Sequence, residues 1–142
     1  MTTKENNRMN VVGVDPGVTT GLVVCTYRKY PVGDYSFSLK ALSSTEIPLT
    51  EDYHSFITKL IVTYRPQIMV IESVVQSGHL SREKVTQIRA HDRALVAGQL
   101  RGVEVKEVPP QAVKRIKEVP SVVHGDHARD AYRILMTYFA GL

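Results

Sequence analysis

Cysteine is nearly absent from this 142-residue chain, and the single Cys25 excludes both an intramolecular disulfide and a cysteine-based zinc site. Long apolar runs are missing as well. No stretch approaches the ~20 residues that cross a bilayer, so no membrane partner is expected. The opening MTTKENNRMN has neither the apolar segment nor the small-residue cleavage site of a secretion signal, and reads as a flexible polar tail over residues 1–9. Internal repeats and low-complexity tracts are also lacking. What remains is an ordinary globular composition, 43% hydrophobic and 23% charged. Residues 10–142 are long enough to form one domain with a core of its own.

Charge is spread unevenly. The chain carries a formal +4, and residues 79–118 account for all of it. That window holds Arg82, Lys84, Arg89, Arg93, Arg101, Lys106, Lys114, Arg115 and Lys117 against Glu83, Asp92, Glu104, Glu107 and Glu118. Such a concentration suits contact with a polyanion, although many solvated helix faces are equally rich in Lys and Arg.

Hydrophobic periodicity orders the elements. NVVGVDPG is a short valine-rich run, as expected of a strand covered on both faces, and TGLVVCTYR is a second β-branched run after the turn residues PGVTTG. DYSFSLKALS alternates and predicts a third strand. From Thr50 the period becomes helical until Pro66, QIMVIE reads as a buried strand, and a long helix begins near Ser81 and ends before Gly102. VEVKEV predicts another strand, PPQAVKRIKE a short helix opened by proline, and Asp126 to about Ala140 the last helix. Three strands followed by helix, strand, helix, strand, helix predict an α/β domain. Its mixed five-stranded sheet would join an antiparallel meander to parallel strands, with helices on both faces.

Carboxylates stand at three element ends. Asp15 closes the first apolar strand, where a charge is costly unless paired or bound to a cation. Glu72 closes QIMVIE, at the strand end where α/β sites usually form. The stretch HGDHARDA then packs Asp126, His127 and Asp130 into one helical start. Each acid has a plain structural alternative: a turn starter, a solvated strand end, a helix cap. Converging acids are also what a hard divalent cation requires. On a wheel of ~100° per residue with Asp130 at zero, the buried arc from Ile134 to Ala128 spans roughly 40° to 160°, with His127 at roughly +60° and Asp126 at roughly −40°. His127 therefore points towards the sheet, as a site residue or a satisfied core histidine. Asp126 points away and fits an N-cap.

Read together, these segments resemble a known family. VVGVDPGVTTGLVV resembles the first-strand signature of the RNase H-like nucleases, specifically the RuvC-type Holliday-junction resolvases. MVIES is similar to that family's glutamate-bearing strand end, HARDAYRI to its last acidic helix, and LVAGQLRGVEVKEVPPQAVKRI to the helix, strand and basic helix between them. The resemblance runs from about Asn10 to Phe139. It implies an RNase H-like fold and a metal-dependent endonuclease, usually a homodimer, that resolves four-way DNA junctions by paired nicks. A compact bacterial or phage member is indicated, acting in the bacterial or host cytoplasm.

Carried over by position, the resemblance makes Asp15, Glu72 and Asp130 acidic metal ligands for magnesium or manganese, with two ions per site. It places His127 where members carry Asp or His, as a ligand or as acid or base beside the attacking water. Lys114 matches a lysine that approaches DNA phosphate near the metals; Arg115 and Lys117 accompany it, and Arg82, Lys84, Arg89 and Arg93 are positioned to follow a backbone. No Phe, Tyr or Trp occurs from Glu72 to Ala131, so aromatic stacking on an opened junction is not expected there and Val74 and Val75 offer only weak wedges. Two other readings stay open: an RNase H-like nuclease for other branched DNA or RNA, and an actin-like nucleotide binder, since DPGVTTG also resembles that phosphate loop. The latter needs two such domains around one nucleotide.

Overall fold

The structure is a computed structural model that describes residues 8–30, 37–74, 80–113 and 116–141. Five strands are formed: β1 (Arg8–Asp15), β2 (Thr19–Lys29), β3 (Phe37–Pro48), β4 (Ile68–Glu72) and β5 (Glu104–Val108). The helices are α1 (Tyr53–Tyr64), α2 (Arg82–Leu100), the four-residue α3 (Pro110–Val113) and α4 (Asp126–Ala140). Strand order is β3-β2-β1-β4-β5, with β1–β2 and β2–β3 antiparallel and β1–β4 and β4–β5 parallel. The mixed sheet expected from the element order is therefore the one formed.

Central β1 explains its own sequence. Val11, Val12 and Val14 are wholly buried because successive side chains point into two different cores. On one face Val12, Val14, Leu22 and Met69 pack beneath α1 and α2; on the other Val11, Val23, Cys25 and Val70 pack beneath α4. α2 lies close to its face because it presents Ala90, Ala94, Ala97 and Gly98. Cys25 is fully buried in the α4 core, and that burial pushes its thiol up to about 12. Among the described residues no helix is long and apolar enough to cross a membrane.

α4 sits directly on two glycines of the sheet. A methyl group at Gly21 would overlap the His127 carbonyl, and one at Gly13 would strike the Ala131 carbonyl and lie 2.8 Å from Leu135 Cγ. These two positions seat the last helix against β1 and β2 and fix where its first turn meets the end of β1.

Several boundaries differ from expectation. β1 starts at Arg8, inside the span read as tail. β3 runs on to Pro48, because pairing with β2 continues to Thr19↔Pro48 even where its side chains do not alternate cleanly; Asp34 and Tyr35 lie outside the described residues. The helix of PPQAVKRIKE is described only as Pro110–Val113; Lys114 and Arg115 lie outside the described residues, and Ile116, Lys117 and Glu118 are not helical. Ser81 does cap α2, accepting from the Lys84 amide at 3.1 Å. Asp126, by contrast, is not the cap of α4: Gly125 occupies that position at φ 92°, and Asp126 is the first helical residue.

Candidate active site

β1 and β4 run parallel side by side, so their last residues, Asp15 and Glu72, reach the same edge of the sheet. α4, seated on Gly13 and Gly21, brings His127 and Asp130 to that edge. Asp15, Glu72 and Asp130 line one open cleft of about 500 Å³ with Lys117, Arg133, Pro110, Val113 and Ile116. Four of the expected site residues thus share a place. The helix wheel also holds: His127 Nδ1 lies 3.3 Å from Asp15 Oδ2.

The electrostatics of Asp15 follow from that convergence. Its side chain is 15% exposed, and its pKa is raised from 3.8 to about 7. Burial is the main cause, and the charge on Asp130 adds to it. The contact to His127 pulls the other way, and Glu72 raises it further. Beneath it a buried bond of 3.0 Å joins Thr20 Oγ1 and Tyr53 Oη, which in turn donates to the Ala90 carbonyl, tying β2 to α1 and α2.

Two participants escape a reading of the sequence. Arg133 Nη1 is 2.6 Å from Asp130 Oδ1, and its Nε donates to the Ile116 carbonyl at 3.1 Å. It therefore fixes both the acid and the loop that forms the cleft wall. Its signal was the i, i+3 spacing from Asp130. Glu46 of β3 is the second: its carboxylate accepts from the His127 amide at 2.7 Å, and a methyl group on Gly125 would lie 2.7 Å from its Cδ. Glu46 thus caps α4 from a distant strand, the role expected of Asp126. No local pattern reveals a cap donated 81 residues away.

Of the expected DNA contacts, Lys117 lines the cleft. Arg82, Lys84 and Arg89 stand on α2, which packs on the opposite face of the sheet from α4. Arg89 and Arg82 are exposed there.

The donor chemistry suits a hard divalent cation. Three carboxylates from separate elements meet around an open cleft, where Asp130 and Glu72 raise the cost of ionising Asp15, and an imidazole borders them. Among the described residues no group of three such side chains stands close enough to hold one ion in this arrangement, and Arg133 holds one oxygen of Asp130.

No protein-family model matches the chain. The crossover junction endodeoxyribonuclease RuvC of Fusobacterium nucleatum is 26% identical to it over 109 residues, covering 75% of this chain and 57% of that protein. The match therefore spans little more than half of that relative's length. Thermus thermophilus RuvC in complex with Holliday junction substrate is similar in structure, with a TM-score of 0.69 at 21% identity, covering 94% of this chain and 95% of that one. The fowlpox virus resolvase with substrate Holliday junction DNA gives a TM-score of 0.62 at 11% identity, covering 93% and 99%. The chain thus has the RNase H-like fold of the RuvC-type resolvases, with its carboxylate cleft at the edge where β1 and β4 end.

Proposed function

We propose that this chain is a divalent-metal-dependent endonuclease that resolves four-way DNA junctions by paired phosphodiester nicks. The observation that carries the reading is the meeting of Asp15, Glu72 and Asp130, from three separate elements, in one cleft of a resolvase-type fold. Asp15, Glu72 and Asp130 would hold magnesium or manganese, with His127 beside them. When bound, the cation supplies Lewis acidity towards phosphoryl oxygens and lowers the pKa of water.

The chain's own groups do the rest. With its Nδ1 held against Asp15, His127 is placed to hold or accept a proton at Nε2 beside the attacking water, and the Asp15 carboxylate fixes the ring's orientation. Arg133 orients Asp130 and offsets part of its charge. Lys117 binds a DNA phosphate at the cleft wall, with Lys114 and Arg115 next to it in sequence, while Arg82, Lys84 and Arg89 contact a flanking duplex without reading bases. A homodimer would place two such clefts on one junction. Exposed Val85, Val96 and Leu100 on α2 support that, since at ~100° per residue they lie within roughly 60° of one another on the helix.

The test uses a labelled four-way junction, linear duplex, flap and RNA, each with and without magnesium or manganese. Symmetric paired nicks confined to the junction are expected. Absence of metal-dependent cleavage on every substrate would sink the nuclease reading, and equal cutting of flap or RNA would move it to a broader nuclease. Asp130→Asn should abolish cleavage while junction binding survives.

A further inference from the structure

Far from the cleft, a hollow of about 370 Å³ opens on the α1/α2 side of the antiparallel strands, lined by Arg8, Thr26, Arg28, Ser38 and Lys40, with Tyr30 and Leu42 also bordering it. Arg8 lies directly opposite Arg28 across β1 and β2, and Lys40 stands opposite Thr26 on β3. Neighbouring strands are ~4.8 Å apart, so Arg28 is held within roughly 5–8 Å of both Arg8 and Lys40, which stand two strands apart. Like charges directly opposed on a sheet destabilise it. Among the described residues no carboxylate pairs with any of the three. The floor is fixed instead by Thr26 donating to Asn10 Oδ1 at 3.0 Å and Asn10 Nδ2 donating to the Tyr64 carbonyl, while Arg28 rests over the Tyr30 ring at 5.5 Å.

We propose that this hollow is a second phosphate-binding site that grips the sugar–phosphate backbone of DNA some distance from the cut. Arg8 and Asp15 are the two ends of one eight-residue strand, which at ~3.4 Å per residue separates the hollow from the cleft by roughly 24 Å. Cations spread over three strands, with the Ser38 hydroxyl between them, fit successive phosphates and offer no base-reading edge. The site therefore adds affinity without sequence preference. That the DNA is a junction arm rests on the proposed function; the phosphate contact itself does not.

The test is binding of a linear duplex and of a four-way junction in EDTA across a salt series, comparing the wild type with Arg8→Gln/Arg28→Gln/Lys40→Gln. A control with Lys29→Gln/Lys59→Gln/Arg101→Gln removes equal charge from other exposed positions. Each phosphate contact contributes about 0.9 to the slope of log K against log salt, so the hollow variant should lose about 2–3 from that slope on both DNAs. Its thermal midpoint should be unchanged or higher, because the opposed arginines are gone. An unchanged slope in the folded variant, or an equal drop in the control, overturns the site. NMR titration with inorganic phosphate separates the two sources of the anion: if phosphate moves the Arg28 and Lys40 signals and duplex does not, the DNA assignment falls. Because binding is read in EDTA, a protein that cuts nothing would still report on this hollow.

Discussion

Burying Asp15 beside two other carboxylates makes the metal-free protein lose stability as pH rises. In the unfolded chain Asp15 ionises near 3.8; in the folded chain it does so at about 7. Between those values the folded state holds more protons than the unfolded one, so stability falls with increasing pH and the full penalty is present above 7. At 1.36 kcal/mol per pH unit the difference amounts to at most about 4 kcal/mol, shared with Asp130 and Glu72. Urea unfolding in EDTA should therefore show a lower midpoint at pH 8 than at pH 5, and Asp15→Asn should flatten that dependence and raise the midpoint at pH 8. Magnesium should restore the wild type far more than the variant; a flat wild-type profile would contradict the assignment. Asp15, Glu72 and Asp130 were legible in the sequence because an acid that closes an apolar strand or helix turn is locally anomalous. Arg133 left only the weak trace of its i, i+3 spacing from Asp130, and Glu46 left none, because an exposed glutamate looks like any solvated charge until the fold supplies its partner.

Single elements show where local pattern suffices and where it does not. β1, β4 and α2 follow from period and punctuation, and Ser81 caps α2 through its own chain. α4 is different, since its start is held by Glu46 of β3 and its seat by Gly13 and Gly21 of two other strands. One residue of register separated the expected cap, Asp126, from the real one at Gly125, and only tertiary packing decides such a step. Glu46→Ala should cost about 1 kcal/mol in chemical denaturation, as loss of a helix cap does. It should also lower the single-turnover rate at saturating DNA, with Glu46→Gln recovering part of both by retaining an acceptor. Asp126→Asn should change stability by only ~0.3–1 kcal/mol, through the helix dipole alone. The reverse order, with Asp126→Asn the more damaging, would return the cap to Asp126. Gly21→Ala is expected to be worse than either, because the helix backbone itself must move; overpacking of this kind typically costs about 1–3 kcal/mol, measurable as a lower urea midpoint.

At the scale of the whole molecule, the proposed function would have one cleft cut one strand, so paired nicking would require two copies. The exposed stripe of Val85, Val96 and Leu100 on α2 is the face on which they would meet. Val96→Glu/Leu100→Glu should shift sedimentation velocity towards a single-chain species and replace coordinated double nicks with isolated single ones. An unchanged sedimentation coefficient would place the pairing elsewhere. The buried Cys25 bears directly on how such geometry can be measured. With its thiol shielded inside the α4 core and pushed up to about 12, it is a poor target for maleimides at neutral pH. A fluorophore or spin label attached through one introduced surface cysteine would then report from that position alone, and copy-to-copy distances across a junction could be read without first engineering the native thiol away.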